Sequence, residues 1–287
     1  MPPVQGGRAV SFFLNSGHGE DMEVILLRNL CMTLAYDGTN YHGFQTQPAG
    51  KTVQDELESS ILALTGDKPK IIASGRTDSG VHAYAQVFNF HTSSLIPADR
   101  WPLALNARLP QDIVVTRAWE VPLEFNSRHA AKRKTYRYTI NANRYPDVFQ
   151  RHMQFHHPAP QLNIEAMREG LQQLVGTYDF TSFASRYSQK TNHVRTLLEA
   201  RIEVDTTTCR PGTADQGFIH IFLTGTGFLQ HMVRIITGTL LQVGEGKRAP
   251  EDMKTILLAC DRAAAGPTAV GKGLALWNVD YGELLPE

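Results

Sequence analysis

No stretch of this 287-residue chain approaches the ~20 apolar residues that a membrane-spanning helix needs. "AVSFFL" (10–15) is shorter than a signal-peptide core, and polar residues follow it rather than a cleavage site. Residues 1–28 read as an extension outside the folded core. Cysteine is scarce: Cys31, Cys209 and Cys260 stand far apart and form no C-x-x-C pair. That argues against a zinc ribbon or redox dithiol and suits structural thiols in a reducing cytoplasm. Excess charge is also absent, with 28 basic and 28 acidic residues. A nucleic-acid binder of this composition must segregate its charges, because a uniformly neutral surface displaces no counterions from phosphate.

Several catalytic signatures are missing too. There is no G-x-x-x-x-G-K-[ST] loop for nucleotide triphosphates and no G-x-S-x-G elbow for a serine nucleophile. Gly225-Thr-Gly227 and Gly271-Lys-Gly273 lack the third glycine of a dinucleotide fingerprint. His152, His156 and His157 cluster without a carboxylate or cysteine at ligand spacing. They read as solvent-facing histidines, and no metal site is expected.

What is present supports a folded α+β chain. Hydrophobic residues make up 42% and charged residues 20%, enough for a core and too balanced for long disorder. "LCMTLAY" (30–36) reads as a strand with Leu30, Met32, Leu34 and Tyr36 on one face. "TVQDELESSILALTG" (52–66) reads as a helix, with Thr52 and Asp55 as a capping box and Gly66 as the stop. A short strand is expected near 70–73. From Val81 onward, apolar Val81, Ala83, Ala85 and Val87 alternate with His82, Tyr84 and Gln86, as in a half-buried strand. "ADRWPLALNARLP" reads as a short helix interrupted by Pro102, and 112–121 as a strand.

The second half repeats this grammar. Strands are expected at 134–140, 197–205 (Leu198, Ala200, Ile202 and Val204 inward), 218–224 and 274–281. Helices are expected at 163–176 (capped by Asn163), 228–244 and 250–260. Two split β-α-β units with antiparallel pairing give two lobes sharing a sheet or cleft, 29–125 and 126–287, joined near 122–130.

Three stretches invite chemistry. The loop Gly75-Arg76-Thr77-Asp78-Ser79-Gly80 places opposite charges at the mouth of a strand. Alone, it would read as a turn with a surface ion pair. The same chain carries a basic, aromatic strand, "RHAAKRKTYRY" (128–138), and an arginine inside an apolar helix, Arg234 between Val233 and Ile235. Such an arginine calls for an anionic partner, because an unpaired buried charge is costly. From Arg128 to Arg151, seven basic residues face the single acid Asp147. Lys132, Arg133 and Lys134 are the candidates there for contact with phosphate.

Taken in order, "LAYDGTNYHGFQTQ", "TVQDELE", "SGRTDSGVHAYAQVFNF", "NARLPQDIVV", "FNSRHAAKRKTYRY", "GTYDFTSF", "HVRTLLEARIE", "GFLQHMVRIITGTLLQVG" and "GLALWNVDY" resemble the tRNA pseudouridine synthase family of the TruA type. The resemblance covers about residues 29 to 282. It implies a pseudouridine synthase fold of two ferredoxin- or RRM-like lobes sharing a largely antiparallel sheet around a central RNA-binding cleft. It implies isomerisation of uridine to pseudouridine in the anticodon stem-loop, usually at tRNA positions 38 to 40. It also implies a cytoplasmic homodimer that needs no cofactor. The family's catalytic aspartate falls on Asp78, its nearby arginine on Arg76, its base-contacting tyrosine on Tyr136, and the arginine of its helix motif on Arg234.

The residue types suit that chemistry. The C1′–N1 bond breaks, the base turns, and C5 joins C1′. No water is consumed, so one carboxylate suffices where glycoside hydrolysis uses two. Asp78 can attack C1′ or remove a ribose proton to give a glycal-like intermediate. Either role needs the ionised form, which burial opposes and a nearby cation favours. Arg234 is the candidate cation. Tyr136 can retain the detached uracil by stacking without fixing its in-plane angle. The alternative is a non-catalytic RNA-binding protein built on two RRM-like halves. It accounts for the basic strand but not for Asp78, since an acid in an RNA-facing loop opposes phosphate binding. The RRM signature is also absent.

Overall fold

The computed structural model describes residues 26–158, 161–188 and 191–285. Most of the expected extension, residues 1–25, lies outside them. The first strand, β1 (Arg28–Tyr36), begins inside the stretch assigned to that extension. Leu30, Met32 and Leu34 on β1 are fully buried and Tyr36 nearly so.

Helix α1 (Val53–Thr65) starts where the capping box places it. The Thr52 hydroxyl accepts from Asp55 N, and the Asp55 carboxylate accepts from Thr52 N. Gly66 closes the helix in the left-handed region at φ +80°. Val53, Leu57 and Ile61 are buried, with Leu64 packed at the core's edge. Strand β2 (Ile72–Ala73) leads into the Asp78 loop, and β3 (His82–Thr92) leaves it.

β3 is more buried than alternation predicts. Tyr84 is exposed, but His82 and Gln86 are enclosed. The Gln86 amide accepts from the Ser74 hydroxyl (2.6 Å) and donates to the Gly75 carbonyl (2.9 Å). Its polarity is spent inside, holding the loop. Helix α2 (Trp101–Asn106) is not interrupted by Pro102. The proline sits in the first turn, where its missing N–H costs nothing. Strand β4 (Ile113–Val121) completes the first half.

The second half comprises β5 (Arg133–Asn141), β6 (Phe155–His156), α3 (Ile164–Gln172), β7 (Gly176–Asp179), β8 (Val194–Asp205), β9 (Phe218–Gly225), α4 (Met232–Gly244), α5 (Asp252–Ala259) and β10 (Leu274–Asp280). The Asn163 side chain caps α3 by accepting from Ala166 N. On β8 the inward residue is Leu197, not Leu198. A bulge between Leu197 and Glu199 shifts the register against β9 and turns Leu198 outward. Helix α4 begins four residues later than expected, because His231 takes φ +62° and breaks the helical run. The histidines at 152–157 do not all face solvent. His156 Nε2 lies 3.0 Å from the Asn143 carbonyl, and His157 Nε2 lies 3.3 Å from Glu245.

All described strands belong to one ten-stranded sheet, ordered β4-β1-β3-β10-β5-β9-β8-β7, with β2 on β3 and β6 on β5. Pairing is antiparallel except β10 with β3 and β5 with β6. β10 carries the chain's end back between the halves. It pairs with β3 at His82 and Ala83, just past the Asp78 loop, and with β5 on its other side. That return brings the two halves together at Asp78.

Candidate active site

The loop from Ser74 to Val81 is held from several sides. Ser74 N donates to the Val87 carbonyl (2.7 Å), and the Lys134 amine donates to the Ser74 carbonyl. Thr77 is buried. Its hydroxyl bonds to the Tyr36 hydroxyl (2.8 Å), and its carbonyl accepts from Phe44 N (3.2 Å). Val81 N donates to the Asp78 carbonyl (3.1 Å), closing a tight turn in which Gly80 takes φ +70°. Thr77 is thus the anchor, with Arg76 exposed on one side and Asp78 half-buried on the other.

Arg76 and Asp78 do not form the local ion pair that an isolated turn would favour. Asp78 Oδ2 lies 3.3 Å from Arg234 Nη1, a partner 156 residues away. Arg234 is fixed first by its neighbours. Its Nε donates to the Ala269 carbonyl (2.7 Å), and its own carbonyl accepts from Ala269 N (3.0 Å). The guanidinium therefore meets Asp78 from a set position. Sequence reasoning missed His231, whose Nε2 lies 3.5 Å from the same Asp78 oxygen. Burial holds its imidazole below the ordinary range. Asp78 pulls the other way, while Arg234 and Arg262 add to the lowering. No local signal marks His231, because its left-handed backbone (φ +62°) falls where the sequence pattern predicts helix.

Tyr136 on β5 is buried beside these groups, with its ring edge-on to Phe228 (5.0 Å, 79°). Burial raises its phenol strongly, and the Asp78 charge adds to the effect. Asp78, Arg234 and Tyr136 therefore share one site. Arg76 stands at its edge with no hydrogen bond or ion pair among the described residues.

The basic strand divides. Lys132 and Arg133 are exposed, and Arg133 Nε pairs with Asp280 (2.7 Å). Lys134 turns inward to the loop, and burial brings its amine down to about 8. Arg137 lies on the opposite face of β5, stacked 3.9 Å over Trp277 and 4.9 Å over Tyr84. Among the described residues, no three His, Cys, Asp or Glu side chains gather as metal ligands, and no helix is long and apolar enough to cross a membrane.

One carboxylate held by a fixed guanidinium beside a buried tyrosine, at a seam in a mixed sheet, is a candidate site for chemistry on a single reacting group. The family model of tRNA pseudouridine synthase matches residues 32–129 and 171–282, and the chain belongs to that family. It is 47% identical over 251 residues to the tRNA pseudouridine synthase A of Bacillus subtilis, covering 87% of this chain and 97% of that protein. The Anoxybacillus flavithermus protein of the same name is 46% identical over 257 residues (89% and 99%). The Moorella thermoacetica one is 44% identical over 254 residues (88% and 99%).

Proposed function

We propose that this enzyme isomerises uridine to pseudouridine in tRNA, with Asp78 as the reacting carboxylate. The observation that carries this reading is the Asp78–Arg234 contact. It joins the loop before β3 to the start of α4 and leaves the carboxylate half-exposed beside Tyr136. Arg234 compensates the charge that Asp78 needs for either role, attack on C1′ or removal of a ribose proton. Tyr136 offers the detached uracil a flat wall. Arg76, exposed and without an ion pair among the described residues, would contact RNA or fill the stack that the everted uridine leaves. The reaction is balanced without water: the C1′–N1 bond breaks, the C5–C1′ bond forms, C5 loses a proton and N1 gains one.

The finer reading has further support. In the first half β1 lies between β4 and β3, with β2 beside β3. In the second, β5 lies between β10 and β9, with β8 beside β9. These matching orders support two ferredoxin- or RRM-like lobes, 29–125 and 126–287, with the RNA cleft between them. Lys132 and Arg133 are the side chains we assign to phosphate, and Lys134 to holding the loop. The target uridines are those of the anticodon stem-loop, at positions 38 to 40, and the working form is a cytoplasmic homodimer. Tritium release from tRNA labelled at uridine C5 tests the activity. A protein that binds tRNA yet releases no tritium would be the RNA-binding alternative.

A further inference from the structure

Beside the Asp78–Arg234 contact lies a cavity of about 410 Å³, lined by Arg186, Tyr187, His231, Arg234, Arg262 and Thr268 among others. Its size is within the ~300–1,000 Å³ usual for ligand sites. Three separate segments build it: the turn before β8, the start of α4 and the connection from α5 to β10. Arg234 and His231 belong to both places, contacting Asp78 and lining the cavity.

The charge in this cavity is unbalanced. Among the described residues no Asp or Glu lines it. Arg262 is pinned by donating to the Gly266 carbonyl (3.0 Å), the Ala265 carbonyl (3.4 Å) and the Thr268 hydroxyl (3.2 Å), none of which carries charge. Burial lowers its pKa, and the nearness of Arg186 lowers it further. Arg186 is exposed and makes no hydrogen bond or ion pair among the described residues. Three guanidiniums around one space repel one another, and the nearby carboxylate already serves Arg234 and His231. An anion with several oxygens relieves that repulsion, and phosphate matches the guanidinium fork. Tyr187 stands at the rim 88% exposed. A ring that free of the core has its faces open to stack on a base.

We propose that this cavity receives the RNA phosphodiester adjoining the uridine held at Asp78, gripped by Arg186 and Arg262, with Tyr187 against a neighbouring base. The assignment rests on Asp78 being the reacting carboxylate, since only then does the target nucleotide lie one guanidinium away. It places a second RNA contact in the α4 region, apart from Lys132 and Arg133.

The test is a coupling measurement. Anticodon stem-loop RNAs are made unmodified, or with a neutral methylphosphonate at one linkage flanking the target uridine. Binding is measured to the Asp78→Asn protein, so that no turnover intervenes, with and without Arg186→Ala or Arg262→Lys. Arg186→Ala should weaken binding of the unmodified RNA and reduce the salt slope by about 0.7. At one flanking linkage the methylphosphonate should weaken binding, and it should cost less once Arg186 is gone, the remaining loss being the Arg262 contact. Additive losses at both linkages, or an unchanged slope, would overturn the proposal. So would inorganic phosphate that protects the cavity without coupling, which marks a general anion pocket. Arg262 also ties the 265–268 turn, so lysine is used there, and the decision rests on the exposed Arg186. Absence of tritium release by the wild-type chain would sink the reading of Asp78 separately, whichever way the coupling falls.

Discussion

Gly43 lies against the Asp78 loop with φ +93°. A Cβ at this position would stand 2.5 Å from the Thr77 carbonyl oxygen and 3.2 Å from the Asp78 carbonyl carbon. Ordinary contacts begin near 3.4 Å, so Gly43→Ala forces the Thr77 peptide to move about 0.9 Å. Thr77 cannot move freely, because Tyr36 holds its hydroxyl and Phe44 N its carbonyl. The strain therefore passes to Asp78. Left-handed backbone costs alanine roughly 1–2 kcal/mol, and overpacking adds about 1–3. A displacement near 1 Å at a reacting group costs about 100-fold in rate. We expect single-turnover pseudouridine formation to fall by about that factor, measured with excess enzyme well below the variant's melting temperature. Gly66→Ala is the control. It has φ +80° with nothing within 4 Å of a Cβ, so it should lose stability and keep the rate. A folded Gly43→Ala enzyme reacting within about twofold of wild type would refute the claim that this loop's position sets the chemistry.

Asp78→Asn keeps shape but removes the charge, so single-turnover yield should vanish while tRNA still binds. A near-normal rate returns the loop to the status of a turn. Arg234→Ala should lose most activity and some stability, since it strips both Asp78 and the Ala269 carbonyl. Arg234→Lys should recover only part, and full recovery would show that the planar contact is dispensable. Lys132→Ala and Arg133→Ala should each lower the salt slope of tRNA binding by about 0.7 to 0.9, whereas Lys134→Ala should leave it unchanged. The Lys134 amine, depressed to about 8 from 10.5 by burial with Arg128 adding, stays protonated longer in the unfolded chain. Stability from this group thus rises as pH climbs from about 8 to 10.5, and denaturant melts of Lys134→Met should lack that increment.

Much of the architecture was legible because it is locally encoded. The capping box at Thr52 and Asp55, the stop at Gly66 and the alternation of Leu30, Met32, Leu34 and Tyr36 each involve residues within a few positions of one another. What escaped depends on distant partners. Leu198 fits the inward pattern of β8 until β9 imposes a bulge. Gln86 looks like a solvent residue until Ser74 and Gly75 fold over it. Pro102 looks like a breaker only until the helix start is known.

The site divides along the same line. Alone, the Asp78 loop reads as a turn, and it was the family resemblance that marked its carboxylate; Arg234 stood out because a cation in an apolar helix needs a partner. Each supplies what the other lacks, and the structure places them 3.3 Å apart. Lys134 and Arg137 show the limit of reading charge from a strand. Three positions apart on β5, one turns under the Asp78 loop and the other stacks on Trp277 across the sheet. Sequence counts both as part of one basic run, yet alternation sends neighbouring residues to opposite faces. Fewer of this strand's basic side chains therefore face the Asp78 loop than its composition suggests. Arg186 and Arg262, far along the chain and flanked by nothing basic, face the cavity beside Asp78 instead. In this chain of zero net charge, folding brings Arg186, Arg234 and Arg262, far apart in sequence, around one space.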